Sequence, residues 1–241
     1  MKTIGILFGM ENTFPGALAD CINGMGVEGV HAEPVKIGGI RDDRPAPYDV
    51  IVDRISHRMP YYRSWLKHAA LNGSIVINDP FLCSADDKFI DVTIARRAGA
   101  AVPRTVLIPS KEHPPETTAM SMRNLLYPLN WDELFSYVGF PLFMKPHSGG
   151  GWRQVYKIHT PEEFFFYYDQ SGPICMMIQE AIHHEAYYRC FCIGRRDVRI
   201  MPFAPQQPIH LRYITEYPDV PPSVLDRMRK DVLAINGILG Y

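Results

Sequence analysis

Short apolar runs alternate with helical spacings through the first third of the chain. TIGILFG reads as a buried opening strand, and ALADCINGMG after it as a helix ended by its glycines. VHAEPVKI and YDVIVDRI read as two further strands, separated by a proline-rich turn about Pro45 and Pro47. YYRSWLKHAALNG has helical spacing and a glycine stop, and SIVINDP is another short buried strand. Strands and helices taken in turn this way predict an open parallel sheet up to about Pro80.

The remainder is patterned differently. Ser84 with Asp87 three residues on is a capping-box pattern, which predicts a helix running to Gly99, and VPRTVLIPS follows as a strand. Residues 109–130 are rich in Pro, Ser, Thr and Asn and read as a loop with at most a short helix; NWDELFSYVG is a short helix. Next comes FPLFMKPHSGGGWRQVYKI, two strands flanking a Lys-Pro step and three glycines. Glycine weakens a strand, so Gly149, Gly150 and Gly151 must serve a turn or let the backbone come close to something else. Thr160 as N-cap, Pro161 at N1 and Glu163 at N3 agree on a helix start. CMMIQEAI and YYRCFCIG are strands, and the last helix lines up Val224, Leu225, Met228, Val232, Ile235 and Leu239 on one face. The fold class expected is α/β, turning α+β in the second part, with domains at 1–83 and 84–241.

Composition narrows the field. The 241 residues are 46% hydrophobic and 21% charged, ordinary for a globular protein with one large or two modest cores. A net charge of -1 gives no sign of a nucleic-acid or anionic-membrane footprint, so an anionic ligand must be held by a few placed cations. The five cysteines, Cys21, Cys83, Cys175, Cys190 and Cys192, form neither a CxxC nor a zinc spacing and read as reduced thiols. MKTIGILFGMENTF is too interrupted for a signal peptide and no run suffices for a membrane span, so a cytoplasmic location is expected.

The glycine stretch carries the chemistry. It lacks the GK[ST] of a Walker P-loop and the G-x-G-x-x-G of a dinucleotide site. A strand, Lys-Pro, glycine turn and strand can lay bare N–H groups over a polyphosphate, with Lys145 charged at the root; a plain hairpin with a loose tip is the alternative. His183 and His184 are adjacent, so on a strand they face opposite ways and cannot chelate together; they read as loop histidines. His147 is either a phosphate contact or a spacer. Arg199 and Arg212 suit phosphate or carboxylate, or surface ion pairs. Glu11 and Asn12, after the first strand, either read an amine or cap a helix. No G-x-S-x-G supports a serine hydrolase.

The order of the pieces is a small α/β domain, then DDKF, AGAAVPRTVLI, GFPLFMKPHSGGG, MMIQEAI and YYRCFCIG. This resembles the ATP-grasp superfamily, and within it the glutathione-synthetase-like and ribosomal-protein-S6-modification-like ligases, nearly end to end. The resemblance implies an ATP-grasp fold preceded by a small Rossmann-like parallel-sheet domain. It implies that Lys88 and Lys145 bind ATP, that Ser148, Gly149, Gly150 and Gly151 close over the phosphates, and that Gln179, Glu180, Ala181 and Ile182 form the adenine hinge. Arg189, and Arg199 as a further candidate, would face the transferred phosphate or the substrate carboxylate. Tyr187 stands where the family commonly has a ribose-binding acid, which leaves Glu185 for that role. The family's magnesium ligands fall on strands after the last helix, beyond Tyr241, and no metal ligand is assigned in this chain; a chain cut short of the native protein is the favoured explanation. The implied activity joins a carboxylate to an amine (or a thiol) through an acyl phosphate, using ATP and Mg²⁺. Its partners are small-molecule substrates and a possible second copy as a homodimer, with no nucleic acid and no membrane. The rival reading is a non-catalytic nucleotide-binding module or degenerate ATP-grasp protein; a Rossmann-like nicotinamide or S-adenosyl enzyme ranks third, since FGMENTFPG has the wrong glycine spacing.

Overall fold

A computed structural model describes residues 1–81, 87–215 and 220–239. The chain divides into two compact units, Met1–Ala85 and Asp86–Tyr241.

In the first unit β1 (Lys2–Leu7), β2 (Val30–Pro34), β3 (Val50–Asp53) and β4 (Ile75–Ile77) form a wholly parallel sheet in the order β2-β1-β3-β4. Successive side chains of β1 leave on opposite faces. Ile6 therefore packs with Ala19 of α1 (Phe14–Gly24) and Ala32, while Leu7 packs with Ile51 and with Trp65, Leu66 and Ala69 of α2 (Pro60–Leu71). Gly5 sits where neighbours come closest: a Cβ there would lie 2.6 Å from Val35 Cγ2 and 2.7 Å from Tyr48 Cδ1.

The second unit begins with α3 (Lys88–Arg97), whose cap is Asp87, accepting from the N–H groups of Phe89 and Ile90 at 3.1 Å each. The helix thus starts later than the sequence suggests; Ser84, Cys83 and the boundary between 83 and 84 lie outside the described residues. Strands β5 (Thr105–Ile108), β6 (Leu142–Pro146), β7 (Tyr156–Ile158) and β8 (Met176–Glu180) make an antiparallel sheet ordered β5-β8-β6-β7. Residues 109–130 hold only a single 3-10 turn, Ala119–Met122.

One face of this sheet is covered by α4 (Trp131–Val138) and α5 (Pro161–Asp169), which bury Phe135, Val138, Phe164 and Tyr168 against Ile108, Leu142, Met144, Ile158, Met176 and Ile178. The Phe164 ring centroid lies 5.0 Å from that of Phe135 and 5.2 Å from that of Trp131. Each such buried side chain contributes about 1.5–3 kcal/mol before entropy is set against it. The start of α5 is as expected: Thr160 Oγ1 accepts from Glu163 N–H at 3.3 Å, and Glu163 Oε2 accepts from His159 N–H at 2.8 Å.

A two-stranded ribbon follows, β9 (Tyr187–Ile193) and β10 (Asp197–Phe203), joined through Gly194 and Arg195 at φ 59° and 65°. β10 is an addition to the strands expected from sequence. β9 and β10 both lie against α6 (Pro222–Leu239), and Cys190 and Cys192, which share a face of β9, are half-buried. Of the stripe expected on α6, Leu225, Met228, Val232 and Ile235 are half-buried and Val224 is exposed, while the side chain of Leu239 lies outside the described residues.

Candidate functional site

The two-residue period of β6 decides where the site lies. Leu142 and Met144 enter the core, so Phe143 and Lys145 project from the opposite face of the sheet. The same rule puts Met177 and Gln179 of β8 and Thr105 and Leu107 of β5 on that face, since Met176, Ile178, Val106 and Ile108 belong to the core.

Lys145 lies opposite Met177 and is half-buried. Its Nζ donates to Gln179 Oε1 at 2.8 Å, and Gln179 Nε2 donates to Thr105 Oγ1 at 2.9 Å. Burial, and then the neighbouring Lys88 charge, pull the Lys145 pKa below the ordinary lysine value. No carboxylate among the described residues offsets this. A cation taken from water without a counter-ion is unfavourable, so the charge of Lys145 is held at a cost to the fold.

Lys88 comes to the same spot from the start of α3. Its N–H donates to His147 O at 2.8 Å, and its Nζ donates to Pro146 O at 3.3 Å and to Gly149 O. Two lysines, 57 positions apart in the chain, thus converge on the root of the glycine turn. In that turn Gly149 and Gly151 have φ of 79° and 77°, in the left-handed region that favours glycine. Ser148, Gly149, Gly150 and Gly151 are exposed, and a Cβ at any of the three glycines would meet nothing within 4 Å. Trp152, next along, is 70% exposed with φ 61°. His147 anchors the turn from below, its N–H reaching Cys175 O at 3.2 Å.

At the end of β8 stands the segment 179–182, with Gln179 on the Lys145 face and Glu180, paired with Leu142, on the other. Gln179 and Glu180 complete β8; Ala181 and Ile182 lie beyond it. Glu180 is held by Arg104, which gives it the backbone N–H at 3.1 Å, Nε at 3.1 Å and Nη2 at 2.8 Å. That guanidinium holds the Glu180 carboxyl below its usual value. The N–H groups of Glu180 and Ala181 donate to Arg104 O at 2.9 Å and Pro141 O at 3.2 Å. Glu185 is exposed in the connection to β9, near His183 and His184, and His184 rests its ring edge on Tyr187 with centroids 4.0 Å apart.

Arg189 and Arg199 occupy the outward face of the β9–β10 ribbon, opposite Met201 and Phe191 respectively. Arg189 lies over the Phe203 ring at 4.1 Å and donates to Tyr213 Oη at 3.3 Å. Arg212 is turned into its own loop, Nε to Gln207 O at 2.9 Å. In the first unit Glu11 is paired with Arg54 through both carboxylate oxygens, and Thr13 rather than Asn12 occupies the cap position of α1. Among the described residues no three His, Cys, Asp or Glu side chains gather to hold a metal.

Sequence reasoning named the two lysines and the turn that the fold brings together, but not Arg104 and Thr105, the side-chain partners of Glu180 and Gln179. Nothing in the local pattern of PRTVL marks them; only the pairing of β5 with β8 gives them partners.

No family model matches the chain, and no curated protein does. Solved structures do. The VanG D-Ala:D-Ser ligase from Enterococcus faecalis aligns over 99% of this chain and 83% of its own, with a TM-score of 0.67 at 14% identity. A RimK domain protein ATP-grasp from Sphaerobacter thermophilus aligns over 98% and 82%, with a TM-score of 0.66 at 12% identity. The ATP-grasp ligase PsnB, solved with a minimal precursor, Mg and ADP, aligns over 98% and 81%, with a TM-score of 0.60 at 13% identity. At these identities the likeness is one of fold.

Proposed function

We propose that this chain, whose fold is that of the ATP-grasp ligases, is an ATP-dependent ligase that joins a carboxylate to an amine, or to a thiol, through an acyl phosphate. The observation that carries the reading is the convergence of Lys145 and Lys88 beneath the glycine turn, two cations held together with no carboxylate on Lys145 among the described residues. Polyphosphate supplies what that spot lacks. From Pro146 to Leu142 the face spans four residue steps of β6, about 14 Å of strand. That suits an extended nucleoside triphosphate with its base toward Glu180–Ile182 and its phosphates at the turn.

In this reading Lys145 holds the phosphates from the sheet, Lys88 keeps the turn in place, and the N–H groups of Ser148–Gly151 close from above. Phosphoryl transfer asks for positioning and charge stabilisation rather than a protein nucleophile. The substrate carboxylate attacks the γ-phosphorus and ADP leaves; the amine then attacks the acyl carbon and phosphate leaves. Arg189, over Phe203, and Arg199 are assigned to the acyl phosphate or the carboxylate, and Glu185 to the ribose. The division of labour proposed is substrate selection in the first unit and nucleotide chemistry in the second. Among the described residues no three His, Cys, Asp or Glu side chains gather to hold a metal, and no step is routed through magnesium.

Calorimetric titration of ATP, with and without Mg²⁺, against this chain and Lys145→Ala tests the reading. Binding that is lost in the variant supports it, and ADP release on adding carboxylate and amine pools then separates a ligase from a nucleotide-binding module. Equal binding by both proteins overturns the phosphate site.

A further inference from the structure

Gln179 stands next to the end of β8, paired with Thr105 on one side and Phe143 on the other, and its side chain lies between two polar groups. Thr105 Oγ1 donates its single proton to Pro103 O at 3.0 Å, so toward Gln179 it can only accept. Gln179 must therefore turn its NH₂ to Thr105, at 2.9 Å, and its Oε1 to Lys145, at 2.8 Å. The orientation of an amide, ambiguous when alone, is dictated here by the Lys145 ammonium, which can only donate, and Thr105 Oγ1 takes the NH₂ that this leaves on the other side.

We infer that Gln179 is a positioning residue: its amide, locked by Thr105, fixes the Lys145 ammonium with a neutral acceptor and so leaves the charge uncancelled for a phosphate. The inference rests on the phosphate-site reading above. The residue type matters because three alternatives fail in different ways. A carboxylate at 179 forms an ion pair with Lys145 and competes with the phosphate. An aliphatic side chain leaves the ammonium half-buried with no acceptor on that side, free to swing or to lose its proton. An amide without the Thr105 hydroxyl keeps its Oε1 toward the donor-only ammonium but loses the acceptor that holds its NH₂, so the anchor itself loosens. The amide held by a hydroxyl anchors without neutralising, and keeps two of the three Nζ–H groups for the ligand.

The test compares the wild-type chain with Gln179→Glu, Gln179→Leu, Thr105→Val and Thr105→Ser, titrating each with ATP and, by competition, with adenosine, after thermal unfolding has shown which variants fold. Gln179→Glu is expected to weaken ATP about tenfold or more, the scale of one charged contact, with adenosine unchanged. Thr105→Val should weaken ATP severalfold and Thr105→Ser should restore it. Wild-type ATP affinity in Gln179→Glu, in a protein where Lys145→Ala has lost it, overturns the role of Gln179 and leaves the phosphate site standing. Parallel loss of ATP and adenosine also overturns it, since a merely structural residue behaves that way. Failure of the wild type to bind ATP removes the phosphate site and this inference with it.

Discussion

Under the proposed function, Lys145 sets binding against stability. Its pKa is lowered in the fold by burial and by Lys88, so the folded chain binds its proton less tightly than the unfolded chain does. A base of this kind destabilises the fold fully at any pH below its folded pKa, and the penalty fades as pH climbs from there to the ordinary value of about 10.4. Lys145→Met is therefore expected to raise the urea midpoint of the ligand-free protein at pH 7 while abolishing ATP binding, and the gain should shrink toward pH 10. An unchanged or lowered midpoint at pH 7 would mean that the charge is compensated. The glycine turn gives a second contrast. Gly149 and Gly151 need positive φ and Gly150 does not. Gly151→Ala should thus cost about 1–2 kcal/mol, and Gly150→Ala less than about 0.5 kcal/mol, in urea titrations at equal m-value. Equal costs would place the turn in another conformation.

At the level of elements, α5 is the piece whose start is best specified by its own sequence. Thr160→Ala removes the acceptor for the Glu163 N–H and is expected to lower stability by about 1 kcal/mol; a change under about 0.3 kcal/mol would show that Pro161 and Glu163 suffice. Capping signals, two-residue alternation and glycine stops act within a few positions, so most strands and helices of this chain are legible in its local patterns. β10 escaped because DVRIMPF ends in Pro-Phe and opens with charges, and its strand character comes from pairing with β9. The Ser84–Asp87 pattern pointed to the right helix and the wrong cap, since two acceptors three residues apart look alike in a string. The site was legible only in part. Lys145 and the glycines stand together in sequence, whereas Gln179 is 34 residues from Lys145 and 74 from Thr105. Those contacts depend on register across three strands, which no local pattern encodes.

For the molecule as a whole, a net charge of -1 means that no long-range field gathers anions. Attraction has to come from where cations are placed. Lys230→Gln on α6 and Lys145→Met each remove one positive charge, yet only the second is expected to change ATP affinity, with the first staying within about twofold. Equal weakening by both, measured at the same ionic strength, would show that total charge governs binding. No helix among the described residues is long and apolar enough to cross a membrane. The three tryptophans are also unequal in a useful way: Trp65 is 4% exposed, Trp131 is packed among the rings of the second core, and Trp152 is 70% exposed on the glycine turn. The chain therefore carries its own fluorescent reporter. Iodide should quench the long-wavelength share of the emission, which belongs to Trp152, and leave the blue share from the two packed indoles. A nucleotide that draws the turn down would shield that indole from iodide, so closure can be followed in time by stopped-flow fluorescence with no label attached.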